Sequence, residues 1–248
     1  MARPAKILVF GATSAIAFGT AKLFARDGAS LYLCARDEED LKALSADLTV
    51  RGAKEVGYSV FNALDKGSII RAVDDCLKKF PELDGLLIAY GTLPDQGLCE
   101  TDIEEMRRAV EINFTSPAII LTYIAGHFEK KKQGVIAVIS SVAGDRGRQS
   151  NYVYGAAKGA LTTFLSGLRQ RLGKSGVNVI TVKPGFVDTP MTAGFKKGLL
   201  FVGPDVIAKG IYRAVKTGKS IAYVPWFWRI IMMIIRNIPE KIFIKIKL

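Results

Sequence analysis

The sequence is poor in the residues from which disulfides, metal sites and histidine triads are built. Its 248 residues include three cysteines and one histidine. Cys34, Cys76 and Cys99 are odd in number and far apart, so we expect neither a disulfide nor a metal site. His127 precedes a run of lysines and has nothing to pair with, which sets aside a hydrolase built on a histidine triad.

Long apolar runs and acidic residues are also scarce. No uninterrupted apolar stretch approaches the roughly 18 residues of a membrane-spanning helix, and the amino-terminal segment is too short for a signal peptide, so we expect a cytoplasmic protein. The 35 basic residues outnumber 23 acidic ones, which gives a net charge of +12. They are scattered and form no nucleic-acid motif, which argues against nucleic acid and leaves phosphate ligands and anionic membranes as partners.

Buried-strand and helical patterns alternate along most of the chain. The length suits one large domain, predicted at 1–224, followed by a tail at 225–248. The alternation predicts a Rossmann-type, doubly wound α/β fold whose parallel sheet has about seven strands and binds ligands at the strand carboxyl ends. The predicted strands cover residues 7–10, 31–35, 56–61, 83–90, 135–139, 177–182 and 221–224.

The turn after the first strand is built from small residues. It reads Gly-Ala-Thr-Ser-Ala-Ile-Ala over residues 11–17 and leads into a helical pattern. Small side chains let the N–H groups at a helix start approach a pyrophosphate. The predicted dinucleotide contacts here are Gly11, Thr13, Ser14, Ala15 and Ile16.

Arg36 follows the second strand, at the position where an acid would hold a ribose hydroxyl. A guanidinium suits the additional phosphate of NADP, so the sequence favours NADP(H) over NAD(H) as cofactor. The competing interpretation is a surface ion pair between Arg36 and one of the acids that follow it, which are Asp37, Glu38 and Asp40.

Other strand ends supply further predicted cofactor contacts. Asn62 and Ala63, after the third strand, are placed to meet an adenine ring, and Gly91 ends the fourth strand. A loop at 192–201 contains glycine and is predicted to act as a substrate lid. The predicted contacts after the sixth strand are Pro184, Gly185, Val187 and Thr189.

The segment from Ser140 to Lys158 joins a strand end to a helix start. Tyr154 and Lys158 are four residues apart and share a helix face, where Ser141 is placed to meet them. An ammonium lowers the pKa of a nearby phenol from about 10, so the tyrosine can exchange a proton with a substrate oxygen that the serine holds. This equipment reduces a ketone or oxidises an alcohol when a cofactor carries the hydride. The alternative for Tyr-x-x-x-Lys alone is a chance pair on a solvated helix.

Asn113 stands at the junction of two predicted helices, 102–114 and 116–131. Asparagine competes with helical hydrogen bonds, so we predict that it breaks the helix locally and orients a water beside Lys158. A junction residue without a role is the alternative. The candidate catalytic residues are thus Asn113, Ser141, Tyr154 and Lys158.

The tail departs from the alternating pattern. Trp226, Trp228 and Arg229 open an apolar stretch with few polar residues, and Pro239 interrupts it. Three interpretations stay open: an amphipathic helix in a membrane interface, a subunit contact, or a wall for a lipid-binding site. Tryptophans beside basic residues favour peripheral membrane contact.

Five motifs follow one another along the chain: Gly11-x-x-x-Ala15-x-Ala17, Asn113, Ser141, Tyr154-x-x-x-Lys158 and Pro184-Gly185. In order and spacing the chain resembles the short-chain dehydrogenase/reductase family over nearly its whole length. The resemblance implies that Tyr154 donates the proton and Ser141 steadies the carbonyl. It implies that Lys158 lowers the tyrosine pKa and binds the nicotinamide ribose, and that Asn113 supports a water relay. It also implies a homo-oligomer, a dimer or tetramer, formed through the helices of Asn113 and Tyr154.

The sequence departs from the family pattern in three places. Ala15 and Ala17 replace glycines, Asn62 stands where an aspartate often meets the adenine, and Tyr90 interrupts the common Asn-Asn-Ala-Gly. Alanine is small enough to preserve the turn. The turn at 11–17, the segment at 91–96 and the Val-Pro-Trp of the tail resemble the branch that includes decaprenylphosphoryl ketopentose reductases, which reduce a lipid-linked 2-keto pentose.

The leading interpretation is an NADPH-dependent reductase for a lipid-linked keto-sugar or another amphiphilic ketone, peripheral at the inner face of the cytoplasmic membrane. One alternative is a ketoreductase for a soluble small-molecule ketone, with the tail as a dimer element. The other is a non-catalytic dinucleotide-sensing or scaffold protein, which the intact Asn-Ser-Tyr-Lys set argues against.

Overall fold

Seven parallel strands form one sheet in the order β3-β2-β1-β4-β5-β6-β7 in the computed structural model, which describes residues 5–246. The predicted Rossmann-type architecture is therefore confirmed. The strands are β1 (Lys6–Phe10), β2 (Ser30–Ala35), β3 (Glu55–Val60), β4 (Gly85–Ile88), β5 (Gly134–Ile139), β6 (Val177–Pro184) and β7 (Ile221–Val224).

Two strand boundaries differ from the prediction. β4 is shorter than the predicted 83–90. Leu83 and Tyr90 are apolar because they pack in or against the core, and both lie outside the strand. β6 continues beyond residue 182, because Pro184 stays in register with Val224 of β7. Proline is tolerated there since the strand end requires no further N–H donor.

The helices that connect the strands begin mostly at side-chain caps. Asp37, Asp65 and Asp102 each accept a hydrogen bond from a backbone N–H in the first turn, which satisfies groups that lack helical partners. The short α4, capped by Asp95, was not predicted. The helices are α1 (Ala15–Arg26), α2 (Glu38–Val50), α3 (Lys66–Lys79), α4 (Gln96–Thr101), α5 (Ile103–Val110), α6 (Ser116–Lys131), α7 (Tyr152–Gly173), α8 (Pro204–Thr217), α9 (Trp228–Asn237) and α10 (Glu240–Phe243).

The sheet separates two apolar cores. One lies between the sheet and α3, α6 and α7, and the other between the sheet and α1, α2 and α8. The leucine stripe of α7 is buried in the first core, as its four-residue repeat predicts. The stripe consists of Leu161, Leu165, Leu168 and Leu172.

A continuous helical stretch, Ile103–Lys131, is long and apolar enough to cross a membrane by length and composition alone. Its residues Ile120, Leu121 and Ile124 are fully buried in the first core. The apolar side of this stretch therefore packs against the sheet and α7, as expected for a core helix of a folded domain.

The tail forms two helices after β7, α9 and α10, which confirms an amphipathic helical tail. Trp228 and Met232 are buried on the inner face of α9 and pack with Val142. Ile230 and Ile234 are exposed on the outer face. The ends of the chain, residues 1–4 and 247–248, lie outside the described residues, and with them most of the segment before β1 and the last basic residue of the tail, Lys247.

Candidate active site

Ser141, Tyr154 and Lys158 meet at the carboxyl end of β5. Ser141 follows the strand and caps a short 3-10 helix, Val142–Asp145, accepting a 3.1 Å hydrogen bond from the Ala143 N–H. The Tyr154 hydroxyl hydrogen-bonds the Ser141 side chain. Lys158 Nζ lies 5.8 Å from the centroid of the Tyr154 ring. The structure therefore brings together the three side chains that the spacing predicted.

Close backbone packing fixes this arrangement. A Cβ atom at Gly144 would lie 2.6 Å from the carbonyl carbon of Lys158, and one at Gly155 would lie 2.9 Å from the carbonyl oxygen of Ala143. The Ser140 hydroxyl donates a 3.0 Å hydrogen bond to the Lys158 carbonyl oxygen. Glycines on both segments thus let the 3-10 helix rest directly on α7, which sets the spacing of Ser141 and Tyr154.

Burial is the main cause of the pKa shifts of Lys158 and Tyr154. It lowers the pKa of Lys158 from 10.5 to about 8, because an ammonium loses hydration inside the protein. Burial also raises the pKa of Tyr154, opposed by the hydrogen bond to Ser141. The sequence predicts a lowered tyrosine pKa, but the Lys158 ammonium donates to the Ile139 carbonyl oxygen at 3.3 Å, and desolvation of the phenolate outweighs the favourable interactions.

Asn113 lies in a π-helical turn, Glu111–Thr115, between α5 and α6. Its amide nitrogen donates 2.9 Å hydrogen bonds to the Ala109 and Thr92 carbonyl oxygens, and its carbonyl oxygen accepts one of 3.2 Å from the Thr92 N–H. The helix is continuous through Asn113, so in place of the predicted local break the structure has a π-helical turn. Asn113 also ties the chain after β4 to this turn, a role the sequence did not indicate.

Gly91 lies between Asn113 and Lys158. A Cβ atom at this position would lie 2.7 Å from Asn113 Oδ1 and 3.3 Å from Lys158 Nζ. The absent side chain keeps these two polar groups next to one another. The water relay through Asn113 stays a prediction.

The turn after β1 has the form that a pyrophosphate requires. Gly11 has φ of 78°, and a Cβ atom there would lie 2.7 Å from Tyr90 Cβ, so the position is restricted to glycine by conformation and by space. Ser14 caps α1 by accepting from the Ala17 N–H at 3.1 Å and donates to the Ala89 carbonyl oxygen at 3.0 Å. Thr13, Ala15 and Ile16 complete the turn and the start of α1.

Arg36 is exposed just after β2, at the sheet edge that holds the turn. Asp37 caps α2, and Glu38 and Glu39 both contact Lys42. No ion pair involving Arg36 is present among residues 5–246, so the competing surface pairing with the following acids is not formed. The contact of this guanidinium with the additional phosphate of NADP stays a prediction.

Asn62 and Tyr90 differ from the family pattern in ways the structure explains. Asn62 Oδ1 accepts a 3.0 Å hydrogen bond from the Leu64 N–H, so its side chain stabilises the turn after β3 in which Ala63 lies. The hydroxyl groups of Tyr90 and Ser116 share a 2.6 Å hydrogen bond. The Tyr90 ring packs edge-on against Phe61, with the ring centroids 5.1 Å apart. Tyr90 is therefore a core residue beneath the cofactor turn.

The segment after β6 is covered by the tail. Pro184 and Val187 are buried, and Thr189 begins a short 3-10 helix in which its N–H donates to Thr192. Gly185 lies directly against the indole of Trp228, and a side chain at that position would overlap the ring. The sequence did not predict this contact, because 43 residues separate the two.

The sequence also did not predict a buried ion pair behind Ser141. Lys183 Nζ pairs with Asp145 Oδ1, with 6% and 3% of the two side chains exposed. The Tyr223 hydroxyl donates to Asp145 Oδ2 at 2.8 Å. This network joins the catalytic loop to the ends of β6 and β7. Only the apolar surroundings of Lys183 in the sequence hinted at its burial.

Arg146 ties the same loop to the tail. Its guanidinium donates to the Ile235 and Ile238 carbonyl oxygens at 2.6 and 2.7 Å and pairs with Glu240 at 2.8 Å. It also stacks on the Phe243 ring at 3.6 Å. These bonds satisfy carbonyl groups at the carboxyl end of α9.

A turn of small residues before α1 and a Ser-Tyr-Lys group share the carboxyl edge of one parallel sheet, an arrangement typical of an oxidoreductase that uses a dinucleotide. The chain belongs to the short-chain dehydrogenase family, whose sequence profile matches residues 5–199. It is an NAD(P)-dependent dehydrogenase/reductase.

Known proteins support this assignment. An uncharacterised oxidoreductase of Mycobacterium tuberculosis is 33% identical over 236 residues, which cover 95% of this chain and 94% of the relative. The 3-oxoacyl-acyl-carrier-protein reductase FabG of Chlamydia muridarum is 28% identical over 192 residues, 77% of each chain. A short-chain dehydrogenase from Sphingobium yanoikuyae in complex with NADPH has a TM-score of 0.82 at 23% identity and covers 95% of this chain, which covers 97% of that structure.

Proposed function

We propose that the protein uses NADPH to reduce a ketone on a lipid-linked keto-sugar or another amphiphilic molecule at the inner face of the cytoplasmic membrane. The observation that carries the ketone chemistry is the hydrogen-bonded pair of Ser141 and Tyr154 beside the buried Lys158. Two hydroxyl groups at one point suit a carbonyl oxygen, which accepts hydrogen bonds while negative charge develops on it.

The roles of the residues follow from their positions. NADPH, when bound, supplies the hydride that reduces the carbonyl carbon. The Ser141 hydroxyl donates a hydrogen bond to the carbonyl oxygen, and Tyr154 transfers its proton to that oxygen to give the alcohol. The Lys158 ammonium stabilises the resulting phenolate, and Asn113 orients the path by which the phenol regains its proton. The raised pKa of Tyr154 keeps the phenol protonated before the reaction.

The direction of the reaction is supported by one relative. The reductase from Chlamydia muridarum is named for reduction of a 3-oxoacyl group, a ketone substrate. Arg36, without an ion-pair partner among residues 5–246, supports NADPH, the cofactor of most reductive steps in cells.

The amphiphilic substrate is supported by the apolar surfaces near the site. Phe195 and Leu199 of the loop at 192–201 are exposed, and so are Ile230 and Ile234 of α9. Phe186 links the loop to the inner face of α9, because it stacks on Phe201 and packs edge-on against Trp228. An isoprenoid chain on the substrate would remove such surfaces from water. The resemblance to decaprenylphosphoryl ketopentose reductases is consistent with this class of substrate.

The test is NADPH consumption in detergent micelles with a polyprenylphosphoryl 2-keto pentose, with Tyr154→Phe as the control. We expect turnover in the wild type and a loss of about 10²- to 10⁴-fold in the variant, the usual contribution of a positioned acid. Tight NADPH binding without turnover would refute the lipid-linked substrate and direct the search to soluble ketones. Equal turnover by the variant would refute the role of Tyr154.

A further inference from the structure

Arg148 is a buried arginine in the loop between the two catalytic hydroxyls. It follows Ser141 by seven residues and precedes Tyr154 by six, and only 9% of it is exposed. Its side chain makes one hydrogen bond in the described part of the chain, from Nη2 to the sulfur of Met232 at 3.4 Å. Its Nε is buried without a partner. A thioether is a weak acceptor, so neither Nε nor Nη2 has a strong hydrogen-bond partner.

The neighbouring carboxylate does not neutralise Arg148. Asp145 is the acid that acts on the guanidinium electrostatically, but one of its oxygens pairs with Lys183 and the other accepts from Tyr223. Lys158 is a further buried cation of the site. Three buried cations, Lys158, Lys183 and Arg148, thus stand against one buried carboxylate, Asp145, which leaves an excess of positive charge in this part of the molecule.

An unpaired buried guanidinium destabilises the fold, because arginine does not lose its proton to avoid the cost of burial. Its planar donors match two oxygens of a phosphate, and a pair of this kind is strong when water is excluded. The arginine is thus arranged for an anion that arrives with the substrate.

We propose that Arg148 binds the phosphate group of an amphiphilic phosphate ester and thereby selects substrates that carry the phosphate near the ketone. Met232, its neighbour, belongs to an apolar cluster with the partly buried Phe186, Phe227 and Ile231. An ester held at Arg148 has its charge satisfied next to side chains suited to the start of a hydrocarbon chain. The inference deepens the proposed function and rests on it for the identity of the ketone.

The first experiment measures binding alone, so that it does not depend on turnover. Calorimetry with n-decyl phosphate compares the wild type with Arg148→Met, in which an apolar side chain of similar length meets Met232. Arg213→Met, at an exposed position of α8, removes the same charge elsewhere. We expect the dissociation constant to rise about 10- to 100-fold in Arg148→Met, the effect of losing a charged hydrogen-bonding pair, and to stay constant in Arg213→Met.

Two results of this experiment would overturn the inference. Unchanged affinity in Arg148→Met would show that the phosphate binds elsewhere. Equal affinity of the wild type for inorganic phosphate and for n-decyl phosphate would remove the amphiphile from the proposal. If Arg148→Met does not fold, Arg148→Lys decides the matter, since it keeps the charge but loses the paired donors; its dissociation constant should rise several-fold while that of Arg213→Lys does not.

The second experiment uses two ketones, one with and one without a phosphate ester, and compares kcat/KM in the wild type and Arg148→Met. The expected loss is at least about tenfold greater for the phosphorylated ketone. An equal loss on both ketones would show that Arg148 only holds the catalytic loop. If the wild type reduces neither ketone, the proposed function fails, and the calorimetric result still stands on its own.

Discussion

Lys158 carries its charge in a place that disfavours it. The group is 2% exposed, and its pKa is lowered from 10.5 to about 8. Below about pH 8 the folded protein holds a buried ammonium at a cost, and that cost disappears as the pH rises toward the unfolded value of 10.5. The proposed reaction uses a cation next to Tyr154, so under that proposal stability and activity make opposite demands on this residue.

Replacement of this lysine by an apolar residue should therefore stabilise the protein. In Lys158→Met we expect the free energy of unfolding at pH 7 to rise by about 1–3 kcal/mol, less than the full shift since the Ile139 carbonyl oxygen loses its donor. The gain should shrink by more than half by about pH 9.5, where the wild-type lysine is neutral in the folded state. Urea denaturation at both pH values measures it; a variant less stable than the wild type at pH 7 would contradict the role of burial.

At the scale of one side chain, we predict that Arg36 determines the choice of cofactor. In Arg36→Leu we expect the dissociation constant for NADPH to rise about 10- to 100-fold, because a charged hydrogen-bonding pair contributes about 1.5–3 kcal/mol. The constant for NADH should not change. Fluorescence titration measures both, with Arg26→Leu, an exposed arginine at the end of α1, as the charge control. Equal effects on both cofactors would remove the phosphate contact.

At the scale of elements, the 3-10 helix after β5 packs directly against α7. Gly144→Ala places a methyl group against the Lys158 backbone at 2.6 Å, so the two elements must separate. We expect a loss of about 1–3 kcal/mol in unfolding free energy and a lower kcat, because Ser141 moves away from Tyr154.

Gly147→Ala is the matched control for this prediction. It lies in the same loop, and an added Cβ would meet nothing within 4 Å. Its stability should stay within about 0.5 kcal/mol of the wild type. Thermal unfolding and steady-state kinetics measure both variants. Similar losses in the two would mean that loop flexibility, rather than the contact with α7, determines activity.

The elements that the sequence predicts well are those whose signal is local. Each strand is a short apolar run, and α7 repeats leucine at helical spacing, so burial alone specifies them. The spacing of Tyr154 and Lys158 is likewise local. The capped α4 was missed since only Asp95 marks it, and the pairing of Lys183 with Asp145 was missed since 38 residues separate the partners. Contacts of this kind depend on the fold and have no pattern in the chain.

At the scale of the molecule, the tail has two faces with different surroundings. Its inner face is fixed to the catalytic loop through Met232 and Arg146, while Trp226 and Ile234 on the outside are 72% and 60% exposed. An open cleft along α9, lined by Tyr223, Arg229, Met233, Arg236 and Asn237, adds two arginines to the tail. This combination suits an anionic lipid surface. Deletion of the tail would uncover Val142, so it is a poor test of this contact.

Substitutions on the outer face provide a cleaner test. In the double variant Ile230→Gln with Ile234→Gln we expect sedimentation with anionic vesicles to fall about tenfold or more, since each isoleucine contributes about 1 kcal/mol of apolar burial. Val50→Gln with Leu64→Gln, also exposed, should sediment as the wild type does. Dissociation of an oligomer in size-exclusion chromatography, with vesicle binding unchanged, would assign the outer face to a subunit contact instead.

The position of Trp228 lets the intrinsic fluorescence of the protein report the binding of the cofactor. Of the two tryptophans, Trp226 is largely in water and Trp228 is 2% exposed against Gly185. Their emission therefore separates into a red component and a blue one. The blue component arises beside the proposed nicotinamide site and overlaps the absorption of the reduced ring, so energy transfer quenches it when the cofactor binds. Loading of the site can be followed in unlabelled protein, before any substrate is known.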